Sequence, residues 1–387
     1  MFPARIRLFS LLGFSISADI SWFFLAFYLI FTLTTWYFPV RIPLQGFYAY
    51  FAMGLAGAAG FFLSIVLHEL AHAVIARGFG LPIGSITLFI FGGVAELRQE
   101  PQTPRAEFWV AIAGPIASTA LASLYFAGKL GADAAAWKEA AKVLEFLAWT
   151  NTILALFNLV PAFPLDGGRV LRSILWWQTG NLRRATRIAA MLGSVFGFLL
   201  IAFGASQLFA GNWGGGPWLI LIGIFLAIAA AQARGETEAA LNLKGVSVAD
   251  LMDCRPKAAG PDITIDTLVS DYLYRLNSKF FAIVEDGLAI GYVGPKEIKQ
   301  IPQSQWHDTF VRAIAARFTH DTVVSPAAPA FEALRKLTSN GIGYLAVLDG
   351  SKLLGTVSET NFVNYFSVRE ALEAGGTGAA GPAPSCS

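Results

Sequence analysis

Long apolar runs dominate the first 234 residues of the chain. A helix needs about 20 apolar residues to cross about 30 Å of hydrocarbon, and six segments approach that length. These segments are residues 20–37, 47–75, 108–126, 143–160, 188–209 and 218–233. The pattern predicts a polytopic α-helical membrane protein with about six transmembrane helices.

A different pattern lies between the second and third spans. Residues 81–100 read LPIGSITLFIFGGVAELRQE, in which short β-branched runs are broken by Gly84, Gly92 and Gly93. Such runs are typical of a hairpin or a small sheet. Because a strand cannot expose unpaired backbone to lipid, this membrane-associated β-sheet must be buried in protein or pair with another extended segment.

After Arg234 the pattern becomes that of a soluble α/β region. Two similar units follow each other, each with a helix, a strand, a turn (Asp286-Gly287 and Asp349-Gly350) and a strand beginning with glycine (Gly291 and Gly355). A duplicated unit of about sixty residues is the natural interpretation. We therefore predict a membrane domain at 1–234, a linker at 235–246, a tandem α/β domain at 247–373 and a disordered tail at 374–387.

Composition agrees with a membrane location. Hydrophobic residues make up 55% of the 387-residue chain and charged residues only 14%, too few charges for an ordinary soluble protein. The formal net charge is +2 and the 28 Lys and Arg residues are dispersed, which argues against nucleic acid as a partner. Cys254 and Cys386 lack metal-ligand spacing, so a thiolate zinc site is not supported.

Charge placement predicts the orientation in the cell membrane. Lys and Arg favour cytoplasmic loops, and they are more frequent before the first span and in the loops after the second and fourth spans than in the alternate loops. Both termini and the soluble domain should then be cytoplasmic. The first fifteen residues resemble a signal peptide in charge and apolarity, but they lack a convincing cleavage site, so we expect a retained amino terminus.

The second span contains LHELAHAVIARG, an H-E-x-x-H motif at His68, Glu69 and His72. Residues four apart share one helix face, so both imidazoles can reach one zinc ion while Glu69 lies beside the water that zinc activates. In a soluble helix such a string is often only a solvated amphipathic face. Within a span, however, these side chains are costly to bury and mark a functional site. The motif therefore predicts zinc-dependent peptide hydrolysis.

A catalytic zinc usually has three protein ligands, and the best third candidate is Asp166. It lies in FNLVPAFPLDGGRVLR, after Pro161 and Pro164, which interrupt the fourth span, and before two glycines that permit a tight turn. The alternative is that Asp166 only caps a helix that starts at about Gly167, since Asp is a favoured N-cap residue. The sequence leaves both interpretations open.

These two motifs together resemble the site-2 protease family of intramembrane zinc metalloproteases. HELAH at His68–His72 and NLVPAFPLDGG at Asn158–Gly168 match that family's signatures in the right order and on the right spans. The resemblance covers roughly residues 8–234. One branch of the family carries paired cystathionine-β-synthase-type (CBS) domains after its last span, and the duplicated unit looks like that pair.

The resemblance implies one Zn²⁺ per chain, with His68, His72 and Asp166 as ligands and Glu69 as general base. Asn158 would hydrogen-bond the substrate carbonyl or the developing oxyanion, although a helix-to-helix hydrogen bond is an alternative role for it. The strand at 89–95, FIFGGVA, resembles the family's membrane-embedded sheet and could pair with an unwound substrate. The expected activity is cleavage of a membrane-anchored protein or peptide within or near its transmembrane segment, in regulated intramembrane proteolysis.

The small residues at 113–118, AGPIAS, suggest close helix packing near the site. In the soluble region, the resemblance suggests adenine nucleotide binding by the CBS pair and a homodimer formed through it. Glu297 and Asn361, however, stand where the family's ribose-binding aspartates are expected, which argues against ribose binding there. A structural or dimerising role is therefore as well supported as nucleotide binding.

Two other function classes compete with a protease. A CBS-regulated transporter or channel would need polar groups spread along several spans, whereas here they concentrate in the two motifs. A catalytically inactive membrane scaffold would not need the full set of His68, Glu69, His72 and Asp166.

Overall fold

A computed structural model describes residues 5–90, 92–97, 101–211, 213, 215–275 and 279–374. The chain divides into two compact units, residues 1–238 and 239–387. The disordered tail predicted at 374–387 lies almost entirely outside the described residues, as do residues 98–100 of the loop after the second span.

The amino-terminal segment forms a β-hairpin that the sequence analysis did not predict. Strands β1 (Arg5–Leu11) and β2 (Phe14–Asp19) pair antiparallel. Leu12 and Gly13 connect them with φ angles of 50° and 86°, the left-handed pair that a two-residue hairpin turn requires. Asp19 then caps the first helix, because its Oδ1 accepts the N–H of Ser21 at 2.9 Å.

All six predicted spans are present as helices long and apolar enough to cross a membrane. Each is longer than its predicted segment, mostly because polar residues extend the ends. The fourth begins five residues earlier than predicted and stops at Asn158, before Pro161. The first span combines α1 (Ile20–Thr32), a π-helical turn (Leu33–Tyr37) and α2 (Phe38–Arg41). The others are α3 (Phe47–Gly78), α4 (Pro104–Ala134), α5 (Lys138–Asn158), α7 (Leu182–Phe209) and α8 (Gly216–Asn242), with the short α6 (Asp166–Thr179) between the fourth and fifth.

The predicted hairpin after the second span is also present, as β3 (Ile83–Phe89) and β4 (Gly92–Leu97). It extends the amino-terminal hairpin into one four-stranded sheet in the order β1-β2-β3-β4. The inner strands β2 and β3 run parallel, with Ser15 opposite Ser85. Strand β4 therefore lies at an edge of the sheet.

Helices α7 and α8 approach each other backbone to backbone. A Cβ added to Gly197 would lie 2.7 Å from the carbonyl oxygen of Gly223, and one on Gly204 would lie 2.7 Å from that of Gly216. Without a hydrophobic force between helices in lipid, small residues allow the close van der Waals contact that holds such pairs together. Helix α8 continues to Asn242, so the first part of the predicted 235–246 linker is helical.

The second unit is a six-stranded sheet in the order β5-β6-β7-β10-β9-β8. Its two halves have the same topology, since β5 and β8 each run parallel to the next strand in the chain, which pairs antiparallel with the third. This confirms the duplicated α/β unit. The strands are β5 (Ala258–Ala259), β6 (Phe281–Glu285), β7 (Leu288–Val293), β8 (Val323–Val324), β9 (Tyr344–Asp349) and β10 (Lys352–Ser358).

The helices of this unit pack against the sheet around two apolar clusters, one in each half. They include a 3₁₀ turn (Val248–Asp250), α9 (Ile265–Thr267) continued by a π-helix (Leu268–Tyr274), α10 (Pro295–Ile298), a 3₁₀ turn (Gln303–Gln305), α11 (Val311–Ile314), α12 (Ala330–Asn340) and α13 (Glu359–Ala374).

One detail of the predicted repeat was wrong. Strands β7 and β10 begin three residues before Gly291 and Gly355, not at these glycines. The glycines lie inside the strands because neighbouring backbone comes close. A Cβ on Gly291 would lie 2.6 Å from the carbonyl oxygen of Ala316, and one on Gly355 would lie 2.6 Å from that of Asp253.

Candidate metal centre

The two histidines of the H-E-x-x-H motif lie one turn apart on α3. His68 and His72 are 4% and 6% exposed, and their Nε2 atoms are 3.2 Å apart. The helical spacing brings both imidazoles to one point, as the motif predicts.

Asp166 meets the two histidines at this point. Its Oδ2 lies 3.1 Å from the Nε2 of His68 and 3.1 Å from that of His72. The side chain is buried, and it occupies the first position of α6, whose N-cap residue is Leu165. The alternative of a helix capped by Asp166 and starting at Gly167 therefore does not describe the structure, because the helix begins at Asp166 and the carboxylate turns to the imidazoles.

The three donor atoms fit a tetrahedral metal ion. Zinc binds imidazole nitrogen and carboxylate oxygen at about 2.0–2.2 Å, which places neighbouring ligand atoms about 3.3 Å apart, and the observed separations are 3.1–3.2 Å. Two imidazoles and one carboxylate are also a ligand set of catalytic zinc sites, which keep a fourth position open. The group could thus hold one metal ion.

Hydrogen bonds on the far side of each ring fix the orientation of the imidazoles. Nδ1 of His72 donates to the carbonyl oxygen of Val110 at 2.6 Å, so its Nε2 carries the lone pair. Nδ1 of His68 lies 2.8 Å from Oγ of the fully buried Ser118. Both partners belong to α4, and such outer contacts set the direction of metal-ligating histidines.

The AGPIAS segment lies directly against the site, in agreement with the prediction of close packing there. A Cβ on Gly114 would lie 2.5 Å from Nε2 of His68 and still closer to Nε2 of His72. Any side chain at this position would therefore enter the space where the three donor atoms converge.

Glu69 is half-buried beside the sheet. A Cβ on Gly93 of β4 would lie 2.6 Å from its Cγ and 3.3 Å from its Oε1. The acid adjacent to the metal-site histidines thus contacts the edge strand across a glycine that leaves room for it.

The turn that delivers Asp166 packs against its own helix. A Cβ on Gly168 would lie 2.5 Å from the carbonyl carbon of Ala162 and from the nitrogen of Phe163. The predicted role of these glycines in a tight connection is therefore met by close backbone approach inside α6. The N–H of Phe163 also donates to the carbonyl oxygen of Ala189 on α7 at 3.2 Å.

Asn158 is the last residue of α5, and its Nδ2 donates to the carbonyl oxygen of Leu154 in the same helix at 3.0 Å. A helix-to-helix hydrogen bond does occur on α5, but at Asn151. The fully buried Nδ2 of Asn151 donates to Oγ of Ser64 on α3 at 3.0 Å. Motif matching missed Asn151, although a lone amide in an apolar span is itself a signal of an interhelical contact.

Sequence reasoning also missed a buried ion pair near the site. Arg172 of α6 contacts Oε1 of Glu107 on α4 through both Nε and Nη2. Its guanidinium also lies 5.0 Å from the centre of the Phe163 ring. In the sequence, Arg172 is one of several basic residues that follow Asp166, and no spacing links it to an acid 65 residues away.

In the second unit, the residues that stand in place of ribose-binding aspartates cap helices. Glu297 accepts the N–H of Gly294 at 2.9 Å. Asn361 accepts the N–H and the hydroxyl of Ser358 at 2.9 and 2.7 Å. Nearby, burial raises the pKa of the Tyr292 hydroxyl, and the charge of Glu297 raises it further.

Comparison with known proteins identifies relatives across most of the chain. The profile of Peptidase family M50 matches residues 56–131 and 127–201, and that of the CBS domain matches 311–368. The Rip3 protein of Mycobacterium tuberculosis is 34% identical over 345 residues, which are 87% of this chain and 87% of Rip3. Zinc metalloprotease MJ0392 of Methanocaldococcus jannaschii is 30% identical over 314 residues, 81% of this chain and 85% of that protein.

Among solved structures, the site-2 protease from Methanocaldococcus jannaschii covers 60% of this chain and 95% of its own, with 28% identity and a TM-score of 0.41. The identities to Rip3 and MJ0392, together with the family match over the helices that hold the histidines and Asp166, establish the family. The chain belongs to Peptidase family M50 as a multi-pass membrane metalloprotease of the site-2 type with a carboxyl-terminal CBS module.

Proposed function

We propose that this protein hydrolyses a peptide bond within or near the transmembrane segment of a membrane-anchored substrate, with one zinc ion held by His68, His72 and Asp166. The observation that carries the proposal is the convergence of three buried donor atoms at 3.1–3.2 Å, a spacing that suits tetrahedral zinc. A zinc ion bound there supplies Lewis acidity toward the attacking water and the scissile carbonyl.

The protein's own groups have separate tasks in this reaction. Val110 and Ser118 hold the two imidazoles so that both Nε2 atoms face the same point. Glu69 takes the proton of the attacking water and returns it to the leaving amine as the peptide bond breaks. The candidate ligand side chains are buried, which keeps their donor atoms largely out of contact with the surroundings.

The segment at 89–95, predicted to be one docking strand, instead contains the end of β3 at Phe89 and the start of β4 at Gly92, so the edge strand β4 is the proposed docking element for the substrate backbone. A transmembrane helix hides its peptide bonds in internal hydrogen bonds, so it must be extended before hydrolysis. Strand addition at an exposed sheet edge would satisfy the backbone of the extended segment. The contact of Gly93 with Glu69 supports this role, because it places the edge beside the proposed base.

Asn158 is proposed to donate to the substrate carbonyl or to the oxyanion as it develops. Its amide donates to the carbonyl oxygen of Leu154. It would therefore exchange an intrahelical acceptor for the substrate oxygen, an exchange that costs little at a helix end, where the backbone is least constrained.

Both termini and the CBS module are proposed to be cytoplasmic, on the basis of the Lys and Arg distribution. Cleavage would then release substrate fragments towards the cytoplasm. Protease digestion of sealed, oriented vesicles tests this, and cleavage of the 245–373 region from the outer face of the cell would overturn it.

We further propose that the CBS module modulates the protease and pairs with a second copy. Adenine nucleotide remains the ligand to test, but the capping bonds of Glu297 and Asn361 leave these two side chains engaged. Equilibrium binding of AMP and ATP to the full-length protein, with sedimentation in detergent, would separate a nucleotide-sensing role from a dimerising one.

The protease proposal is tested by incubating purified protein with a panel of single-span substrates in liposomes. Wild type should cleave at least one substrate, whereas Glu69→Gln and chelated enzyme should not, and zinc should restore the chelated sample. Glu139→Gln, which alters a carboxylate in the first turn of α5, serves as the matched control and should retain activity. Cleavage that persists in Glu69→Gln, or a wild type that binds no zinc, would refute the proposal.

A further inference from the structure

The pair formed by Glu107 and Arg172 is unusual for its burial. Glu107 is 0% and Arg172 6% exposed, and the pair connects α4 to α6 within the membrane unit. Taking two charges out of water is costly, and the net contribution of a buried pair to stability is often near zero. Such a pair therefore invites a role other than stability.

On the α4 side, Glu107 precedes Val110 by one helical turn. The carbonyl oxygen of Val110 is the acceptor for Nδ1 of His72. A displacement of this turn of α4 would move the group that orients one of the two imidazoles.

On the α6 side, Arg172 lies less than two turns after Asp166, which begins that helix. Its guanidinium also stacks over Phe163, and Phe163 belongs to the turn that connects α5 to α6. One side chain thus contacts both α4 and the turn that carries the third candidate ligand.

We propose that Glu107 and Arg172 are positioning residues that set the separation between Asp166 and the two histidines, and so the affinity and geometry of the zinc site. This inference rests on the proposed zinc protease function. Metal ligands must be held within about 0.2 Å of their ideal distances. A charged, two-nitrogen contact fixes α6 along its axis against α4 more sharply than apolar packing, which permits sliding between neighbouring side chains.

A purely structural role makes a different prediction. If the pair only held the fold together, its loss would lower thermal stability, while each folded molecule would keep normal zinc affinity and turnover. If the pair positions Asp166, zinc affinity and kcat should fall in molecules that remain folded. KM should change little, because neither side chain belongs to the proposed substrate-docking strand.

The test uses full-length protein in detergent micelles. Removing only one charge would leave an unbalanced charge in a buried position, so the main variant is Glu107→Gln/Arg172→Met, which neutralises both. Zinc affinity is measured by competition with a chromogenic chelator, and kcat and KM with a single-span substrate. The absorption spectrum of the Co²⁺-loaded protein reports the ligand geometry, and unfolding of the metal-free protein reports the fold.

We expect the metal-free double variant to unfold at the same midpoint as the metal-free wild type. Its zinc affinity should fall by about 10- to 100-fold, the range found when groups that support metal ligands are altered. The Co²⁺ spectrum should shift and kcat should fall with KM within about twofold. Arg172→Lys keeps the charge but not the two-nitrogen contact, so it should give an intermediate zinc affinity. It provides the test if the double variant does not fold. Asp133→Asn, which breaks the partly exposed pair with Lys129 on α4, is the matched control and should behave as wild type.

The inference would be overturned if the folded double variant, or Arg172→Lys, had the zinc affinity and the Co²⁺ spectrum of the wild type. The protease proposal would then remain intact. A wild-type protein that binds no zinc would instead refute the proposed function, and the positioning role with it. The two failures are therefore distinguishable in one set of measurements.

Discussion

Gly114 on α4 offers a direct test of the metal centre, because its missing side chain makes room for both imidazoles. In Gly114→Ala the new Cβ would lie 2.5 Å from Nε2 of His68 and still closer to Nε2 of His72, against about 3.4 Å for an ordinary contact, so the groups must move apart by at least about 0.9 Å. The hydrogen bonds of the two rings to Ser118 and Val110 resist this movement.

The magnitude follows from the cost of forcing extra atoms into a packed interior, about 1–3 kcal/mol. If this cost falls on the metal-bound arrangement, zinc affinity drops by about 5- to 150-fold, since about 1.4 kcal/mol corresponds to tenfold. The fold should survive, because Ala stabilises a helix relative to Gly by about 0.5–1 kcal/mol.

The assay is zinc competition with a chromogenic chelator, combined with cleavage of a single-span substrate. Gly131→Ala is the matched control on the same helix, since a Cβ there meets nothing within 4 Å, and it should bind zinc and cleave as wild type does. Wild-type zinc affinity in Gly114→Ala would show that the histidines do not converge on a metal next to this glycine, and the proposed centre would be wrong.

Three further outcomes are expected. Ser118→Ala removes the partner of His68 Nδ1 and should lower zinc affinity about 10- to 100-fold in the same competition assay; unchanged affinity would mean that the bond does not orient the ring. Asn151→Ala should lower the free energy of unfolding by about 0.6–2 kcal/mol, measured by reversible unfolding in mixed micelles, because it removes a buried interhelical hydrogen bond. Gly197→Leu should separate α7 from α8 at Gly223 and cost about 1–3 kcal/mol in the same measurement, and an unaltered midpoint would contradict the close packing of these helices.

The amino-terminal hairpin illustrates why part of the fold escaped sequence analysis. Strand β2 does alternate apolar and polar residues (FSISAD), but β1 and β2 are only seven and six residues long and run directly into the first span, so the sequence analysis treated them as part of an apolar amino terminus. Their stability depends on pairing with β3, which comes more than sixty residues later. By contrast, four of the six strands of the CBS module, β6, β7, β9 and β10, were predicted, although β7 and β10 begin earlier than predicted. Asp-Gly turns separate these strands from their partners by two residues. The two-residue strands β5 and β8 were not predicted.

Part of the candidate site could also be predicted from the sequence, and part could not. Helical spacing alone places His68 and His72 on one face, because a residue and its fourth neighbour share a side of any α-helix. Asp166 could be proposed as the third ligand, but its sequence context also suited a helix cap. The structure removes the cap, because the helix begins at Asp166 with Leu165 as its N-cap residue, and the ligand role stays a prediction.

The sequence by itself determined the membrane class, the six spans, the duplicated module and the two motifs that mark the family, because each depends on local apolarity or on short fixed spacing. Tertiary structure alone decided which groups contact the far side of each imidazole, that Gly114 leaves room for the two rings, and that Glu107 meets Arg172. Those relations join residues many positions apart on different helices. Their distances depend on how whole helices pack, and no local pattern in the chain records that packing.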